Sequence, residues 1–194
     1  MSAPPAVGGK QTCFSLLSIL ACALFVLSSG LLSGCGYSTA RLLPAKYQTI
    51  YVEPFQNTIP ITQEVNERTG LITNLPQLEE QVTRAVINQF LFDGNLRVTN
   101  KPEEADLKIT AKLTDFYRQA VRRTDNDNVA EYRLNLSGSL MLRDKEGKLL
   151  LNDTIVGDTT YLTGGNPSSA EAAAVDSLVR DFAQRVVEWV IEYW

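Results

Sequence analysis

Cys35 is the residue of this chain whose neighbours define a reaction. It follows Leu32-Ser33-Gly34 at the end of an apolar run from Phe14 to Leu32, and small residues before a cysteine at the edge of such a run form the pattern of a bacterial lipoprotein signal. The chemistry would be a diacylglyceryl thioether on the Cys35 sulfur, cleavage ahead of it, and acylation of the new amine. Lys10 supplies the basic start of the segment. A transmembrane anchor is the rival reading of an apolar stretch approaching ~20 residues. It would need neither small residues followed by Cys nor the abrupt change to polar, Pro-containing sequence from Tyr37 to Lys46. Cys22 is a poorer acceptor, because Leu20 stands where a small residue is wanted. Two acyl chains already hold a protein stably on a bilayer, so three make a permanent anchor. Gly36, rather than Asp, after Cys35 leaves the outer membrane as the default destination.

Little other covalent chemistry is open to the chain. It has no histidine, which removes the commonest general base and the commonest metal ligand together. All three cysteines lie at or before Cys35, so the processed chain has no disulfide and must hold together by packing. No cofactor is expected beyond the covalent lipid on Cys35. A net charge of -4 argues against a general nucleic-acid binder, which would need an excess of Lys and Arg. Asp125-Asn126-Asp127 opens like a calcium loop, but Ala130 and Leu136 stand where Gly and Glu are required. The adjacent pairs Glu79-Glu80 and Glu103-Glu104 point in different directions on a helix or strand and make poor acid/base partners.

The basic residues are the remaining candidates. Arg118, Arg122 and Arg123 approach one turn and Arg133 leaves it, while Arg143, Lys145 and Lys148 surround the next. Arginine forks suit phosphate and carboxylate groups. Asp125, Asp127, Asp144 and Glu146 are close enough in sequence to neutralise many of them as ordinary surface pairs.

The elements that must carry these side chains can be read from hydrophobic period. Residues 1-34 read as the signal, 35-46 as a lipidated tether and 47-194 as one domain. Tyr47 to Glu53 is a strand stopped by Pro54, apolar on both faces and therefore interior to a sheet. Phe55 to Asn74 reads as a long loop. Pro76, Glu79-Glu80 and Gly94 bracket a helix whose stripe is Leu78, Val82, Ala85, Val86 and Phe90. Leu96 to Thr99 is a short strand, and strand-helix-strand implies parallel pairing with the first. Three alternating runs then begin at Leu107, Tyr132 and Lys148 and imply antiparallel strands with one wet face. Asp153 interrupts the third and suggests a bulge or a change of face there. Asp125 to Asn128 and Glu146-Gly147 supply the hairpin turns, whose tips lie at opposite ends of the sheet. Ser168 with Glu171 gives a capping-box signature for a last helix whose stripe is Val175, Leu178, Val179, Phe182, Val186, Trp189, Val190 and Tyr193. The sum is an α+β two-layer sandwich: two helices on one face of a mixed, mainly antiparallel sheet of four to five strands, with the opposite face polar.

Several stretches taken in order resemble one family. They are Cys35-Gly36-Tyr37, Val52-Glu53-Pro54-Phe55-Gln56-Asn57, Leu78-Glu79, Asp93-Gly94, Ala105-Asp106-Leu107 and Glu131-Tyr132-Arg133-Leu134. Their order and spacing resemble the lipopolysaccharide-assembly lipoproteins of the outer membrane, the LptE family. The resemblance implies a small plug seated in a large outer-membrane β-barrel, the LptD-like lipopolysaccharide translocon, which helps the barrel assemble and deliver lipopolysaccharide to the outer leaflet. It also implies contact with lipopolysaccharide through basic residues near a loop. Arg122 or Arg123, just upstream of Glu131-Tyr132, occupies the comparable stretch, within a wider candidate set of Arg118, Arg122, Arg123, Arg133, Lys145 and Lys148. The alternative from a different class is a free lipoprotein on the periplasmic face, an accessory subunit of another envelope transport complex. No enzymatic activity is expected.

Overall fold

The computed structural model describes Pro44 and residues 46–60, 77–164 and 167–194. The expected signal segment, Cys35 and nearly all of the expected tether lie outside the described residues, as do Pro76 and the expected loop from residue 61 onward.

Six strands form one mixed sheet: β1 (Thr49–Val52), β2 (Gln56–Asn57), β3 (Arg97–Val98), β4 (Leu107–Arg123), β5 (Val129–Asp144) and β6 (Leu149–Leu162). Their order is β3-β1-β4-β5-β6, with β2 also pairing to β4. Helices α1 (Leu78–Asp93) and α2 (Pro167–Glu192) cover one face. β1 is interior, as its two apolar faces require, and pairs in parallel with both β3 and β4. The three long strands are antiparallel. This is the two-layer α+β arrangement read from the sequence. One addition is β2. Gln56 and Asn57 align with Lys112 and Leu113, because the chain after Pro54 resumes the direction of β1 alongside β4. Phe55 between them is buried, so the first residues of the expected loop belong to the sheet and core.

α1 has the expected stripe, with Leu78, Val82, Val86 and Phe90 buried. Glu79 and Glu80 lie in its first turn, near the positive end of the helix dipole. Gly94 ends it at φ 75°, its N–H donating to the Phe90 carbonyl at 3.1 Å, a left-handed position that a Cβ would strain. α2 begins at Pro167, where a missing N–H costs no helical hydrogen bond. The Ser168 side chain of the expected capping box lies outside the described residues. Its partner Glu171 is engaged elsewhere, against Arg118. α2 buries Val175, Leu178, Val179, Phe182, Val186 and Val190 as expected, together with Ala183 and Val187, whereas Tyr193 is exposed.

The stretches that carry the resemblance tie the sheet to α1. The Asp106 carboxylate accepts from the backbone N–H of Gln48 at 2.9 Å and of Thr49 at 3.0 Å, and from the Thr49 hydroxyl at 2.9 Å. The Asp106 N–H donates back to the same hydroxyl oxygen at 2.9 Å. This knot clamps the start of β1 to the start of β4. Burial works against the Asp106 charge, but the hydrogen bonds from Gln48 and Thr49 outweigh it. With Lys145 adding attraction, they hold the carboxyl below its usual range. At the other end of β1, Glu53 accepts from the Thr110 hydroxyl at 2.7 Å and pairs with Lys108 at 3.4 Å. The Phe55 N–H donates to the Thr83 hydroxyl on α1 at 3.0 Å, and the Asn57 amide reaches Glu79 at 3.3 Å.

The expected irregularity at Asp153 falls elsewhere. Asp153 stays in register opposite Leu140, and the shift in the β5-β6 ladder lies between Leu142 and Arg143, at Leu150 on β6. Directly opposed residues share a face, so Asp153 keeps the alternation. β6 is the edge strand, and Asp153 is exposed there. A charge on the helix side of an edge strand can still reach water.

Candidate functional site: the basic hairpin tips

β4 departs from strict alternation. Up to Leu113 its odd-numbered residues Leu107, Ile109, Ala111 and Leu113 are buried under the helices. Thr114 is then an extra residue in the ladder, since Leu113 opposes Gly138 and Asp115 opposes Ser137. Such a bulge reverses which side chains point inward. Phe116, Arg118 and Ala120 accordingly oppose the inward-facing Leu136, Leu134 and Tyr132.

The bulge places a cation inside the helix-sheet layer. Arg118 lies with its guanidinium 4.6 Å from the Tyr132 ring centroid and 3.2 Å from the Glu171 carboxylate on the first turns of α2. The Tyr161 hydroxyl donates to the same carboxylate at 3.4 Å. Burial opposes the Arg118 charge, yet the Tyr161 hydroxyl, Glu171 and the Tyr132 ring together raise its pKa further above the usual value. Burial likewise pushes the Tyr161 phenol up, with Glu171 adding to the effect and Arg118 opposing it. Arg118, its side chain 24% exposed, thus fastens α2 to the β4-β5 hairpin and does not extend freely from the tip.

Two further bulges, at Val121 on β4 and Ala130 on β5, flank the turn. The turn is closed by the Thr124 N–H donating to the Asn128 carbonyl at 2.7 Å, with Asp127 at φ 60°. Arg122 and Arg123 are consecutive, exposed residues at the end of β4, between the Val121 bulge and the turn. Arg122 pairs loosely with Glu131 across the ladder at 3.4 Å. Arg123 donates to the Asp127 carbonyl at 3.0 Å and lies 3.4 Å from its carboxylate. Exposed pairs of this kind are worth about 0–1 kcal/mol, so both guanidinium groups can exchange partners at little cost. Arg133 is 4.0 Å from Asp158, which Arg185 holds more closely at 2.9 Å.

The other tip is built by Asp144. Its side chain accepts from the N–H groups of Glu146 at 3.1 Å and Lys148 at 2.9 Å, and Gly147 sits at φ 82°. Lys145 borders a shallow cleft with Lys46, Tyr47, Asp106, Asp144 and Glu146, and Lys148 is exposed beside it. At about 3.4 Å per residue the length of β5 separates the two tips by roughly 50 Å. The six candidate cations therefore divide three ways: Arg118 half-buried against α2, Arg122, Arg123 and Arg133 on the first hairpin, Lys145 and Lys148 at the far end. The signal for the interior position of Arg118 was the move of the apolar residues from odd to even numbers between Leu113 and Phe116.

The family model for lipopolysaccharide-assembly, LptE, matches residues 47–188. The chain belongs to the LptE family. A search of curated proteins returned no match. Among solved structures, protein XCC0632 from Xanthomonas campestris is similar at a TM-score of 0.54 and 14% identity, over 78% of this chain and 90% of that one. The hypothetical protein CT253 from Chlamydia trachomatis is similar at a TM-score of 0.52 and 10% identity, over 76% of this chain and 97% of that one. At such identities these likenesses show the fold alone. The LptE match covers β1 through most of α2, and so includes both hairpins and the Asp106 knot.

Proposed function

We propose that this LptE-family protein is a non-catalytic outer-membrane lipoprotein that plugs and helps assemble the β-barrel lipopolysaccharide translocon. Processing ahead of Cys35 and acylation there anchor it to the periplasmic side, and its folded domain enters the barrel lumen with its tether end left at the periplasmic rim. The observation that carries the reading is the family match across 47–188. The fold supports it physically: a rigid helix-covered sheet offers a preformed surface on which barrel strands can close. Arg122 and Arg123 at the irregular hairpin present two loosely held guanidinium forks to the phosphates of lipid A, in competition with divalent cations. Arg133 lies on the same hairpin and adds to the local field.

Depleting the chain from cells tests this function. The barrel should then fail to mature, and newly made lipopolysaccharide should not reach the outer leaflet. Normal barrel maturation together with normal surface lipopolysaccharide would refute the role. Intact mass of the membrane-extracted chain tests the anchor, with a triacylated Cys35 expected and a retained Met1 or a free Gly36 amine contradicting it.

A further inference from the structure

The topology gathers one set of elements at the end where the tether joins the fold. β1 starts there, α1 and α2 end there, and the β5-β6 turn lies there, because β1 and β4 run away from it while β5 and both helices return. Exposed large apolar residues concentrate at this end. Phe92 is 87%, Leu91 60%, Tyr193 50% and Leu149 44% exposed. The other exposed large apolar residues among those described are Val121 and Leu162 at the opposite end and Val156 midway along β6, none of them aromatic. Behind Tyr193, the Trp194 ring lies 4.8 Å from it and 5.0 Å from Tyr47, and the Lys46 ammonium sits 4.4 Å above the Tyr47 ring.

We infer that this tether end is a lipid-contacting surface, which seats Leu91, Phe92, Leu149 and Tyr193 in the headgroup layer of a phospholipid bilayer. The inference rests on the proposed anchor at Cys35 and adds to it a second contact made by the folded domain. Two observations commit the surface to lipid. The chain that leads to Cys35 leaves the fold here, at Lys46 and Tyr47, and only residues 36–46 intervene. Their fully extended reach is about 40 Å at most, so the anchor holds this end near the bilayer. The residue types also match an interface, where Tyr and Trp rings sit at headgroup level and Lys stems reach outward to the phosphates. Charge supplies no net pull. Lys46, Lys145 and Lys148 are interspersed with Asp93, Asp144, Glu146 and Glu192, so the contact is apolar partition and should be insensitive to ionic strength.

The processed chain has no thiol other than the one on Cys35, which permits single-cysteine labelling of the full lipidated protein. Phe92→Cys and Leu149→Cys at the tether end, with Lys112→Cys and Asp125→Cys as controls, would carry an environment-sensitive fluorophore. Each variant is reconstituted into phosphatidylethanolamine/phosphatidylglycerol vesicles, with and without a lipid-borne quencher. Vesicle flotation with blue-shifted, quenched emission at 92 and 149, and background quenching at 112 and 125, is the expected result. Flotation with no preferential quenching at 92 and 149 would overturn the inference and leave the anchor standing. Emission shielded from a water-soluble quencher but untouched by the lipid-borne one would assign the surface to a second copy of the chain, and also overturns it. Failure to float would remove the anchor and the inference together.

Discussion

Gly157 on β6 lies directly beneath Phe182 of α2, so close that a Cβ built on the glycine would stand 2.8 Å from the Phe182 Cβ and 2.9 Å from its Cα. The Phe182 ring then extends over Gly138 on β5, where a Cβ would meet the ring edge at 2.8 Å, and meets Phe55 edge-on at 6.2 Å between centroids. Two glycines in adjacent strands thus make the seat that lets α2 approach the sheet.

Gly157→Ala should therefore destabilise the domain, because the nearest atoms are the Phe182 Cβ and the helix backbone behind it, none of which can rotate aside. Overpacking of this kind costs about 1–3 kcal/mol, or roughly 5 °C in melting temperature for a domain of this size. Gly164→Ala, where nothing lies within 4 Å of the added atom, should be close to neutral. Thermal melts of the pair decide it, and equal midpoints would show that α2 shifts freely on β6.

Arg118→Met should lower stability and leave lipopolysaccharide binding alone. The substitution removes the cation over Tyr132 and leaves the partly buried Glu171 carboxylate with the Tyr161 hydroxyl but without its cation, a loss of about 1–2 kcal/mol after allowance for partial solvent screening. Urea midpoints and a lipopolysaccharide pull-down on the same preparation separate the two effects. Weakened binding at unchanged stability would return Arg118 to the ligand site.

Arg122→Ala with Arg123→Ala should do the reverse. Both side chains are exposed and their ion pairs are weak, so the melting temperature should stay within a degree or two, whereas lipopolysaccharide binding should fall by about tenfold or more, since one charge-assisted contact is worth about 1.5–3 kcal/mol. The remaining affinity should depend less on salt than that of the parent protein. Unchanged binding would remove these residues from the site.

The contrast between Arg118 and its neighbours shows where sequence stops being sufficient. Both helices and the three long strands were legible, because each has an apolar period sustained over many residues, and the interior place of β1 followed from its two apolar faces. The Thr114 bulge was not, since one inserted residue leaves a sequence that still alternates on both sides and only the parity changes. Asp153 misled for a related reason: a charged residue in an inward position signals a bulge only where the strand is interior, and β6 is an edge. Gln56 and Asn57 are polar and too few to show a period, so β2 became visible only through its pairing with β4. Lipidation at Cys35 and the choice among the basic residues depend on partners that periodicity does not encode.

The Asp106 knot makes stability fall in acid. The carboxyl is held below its ordinary range in the folded protein, while in the unfolded chain it titrates near about 4. The unfolded state therefore binds the proton first as pH falls, so the stabilisation is complete above about pH 5 and is lost as pH drops through the lowered folded value. Asp106→Asn should be less stable than the parent at neutral pH by about 1–3 kcal/mol, and the gap should narrow below pH ~4. Urea midpoints across this range measure it, and a gap that does not narrow would mean that Asp106 keeps its ordinary pKa.

The proposed function requires that the chain work inside a large β-barrel. Its most direct test is to extract outer membranes in mild detergent, purify the tagged lipoprotein, and identify by mass spectrometry what remains bound. A single large outer-membrane β-barrel should be recovered in equal amount, and the Arg122/Arg123 double variant should retain it. Recovery of the lipoprotein alone, or with inner-membrane transport subunits, would contradict the plug reading and favour a free accessory lipoprotein.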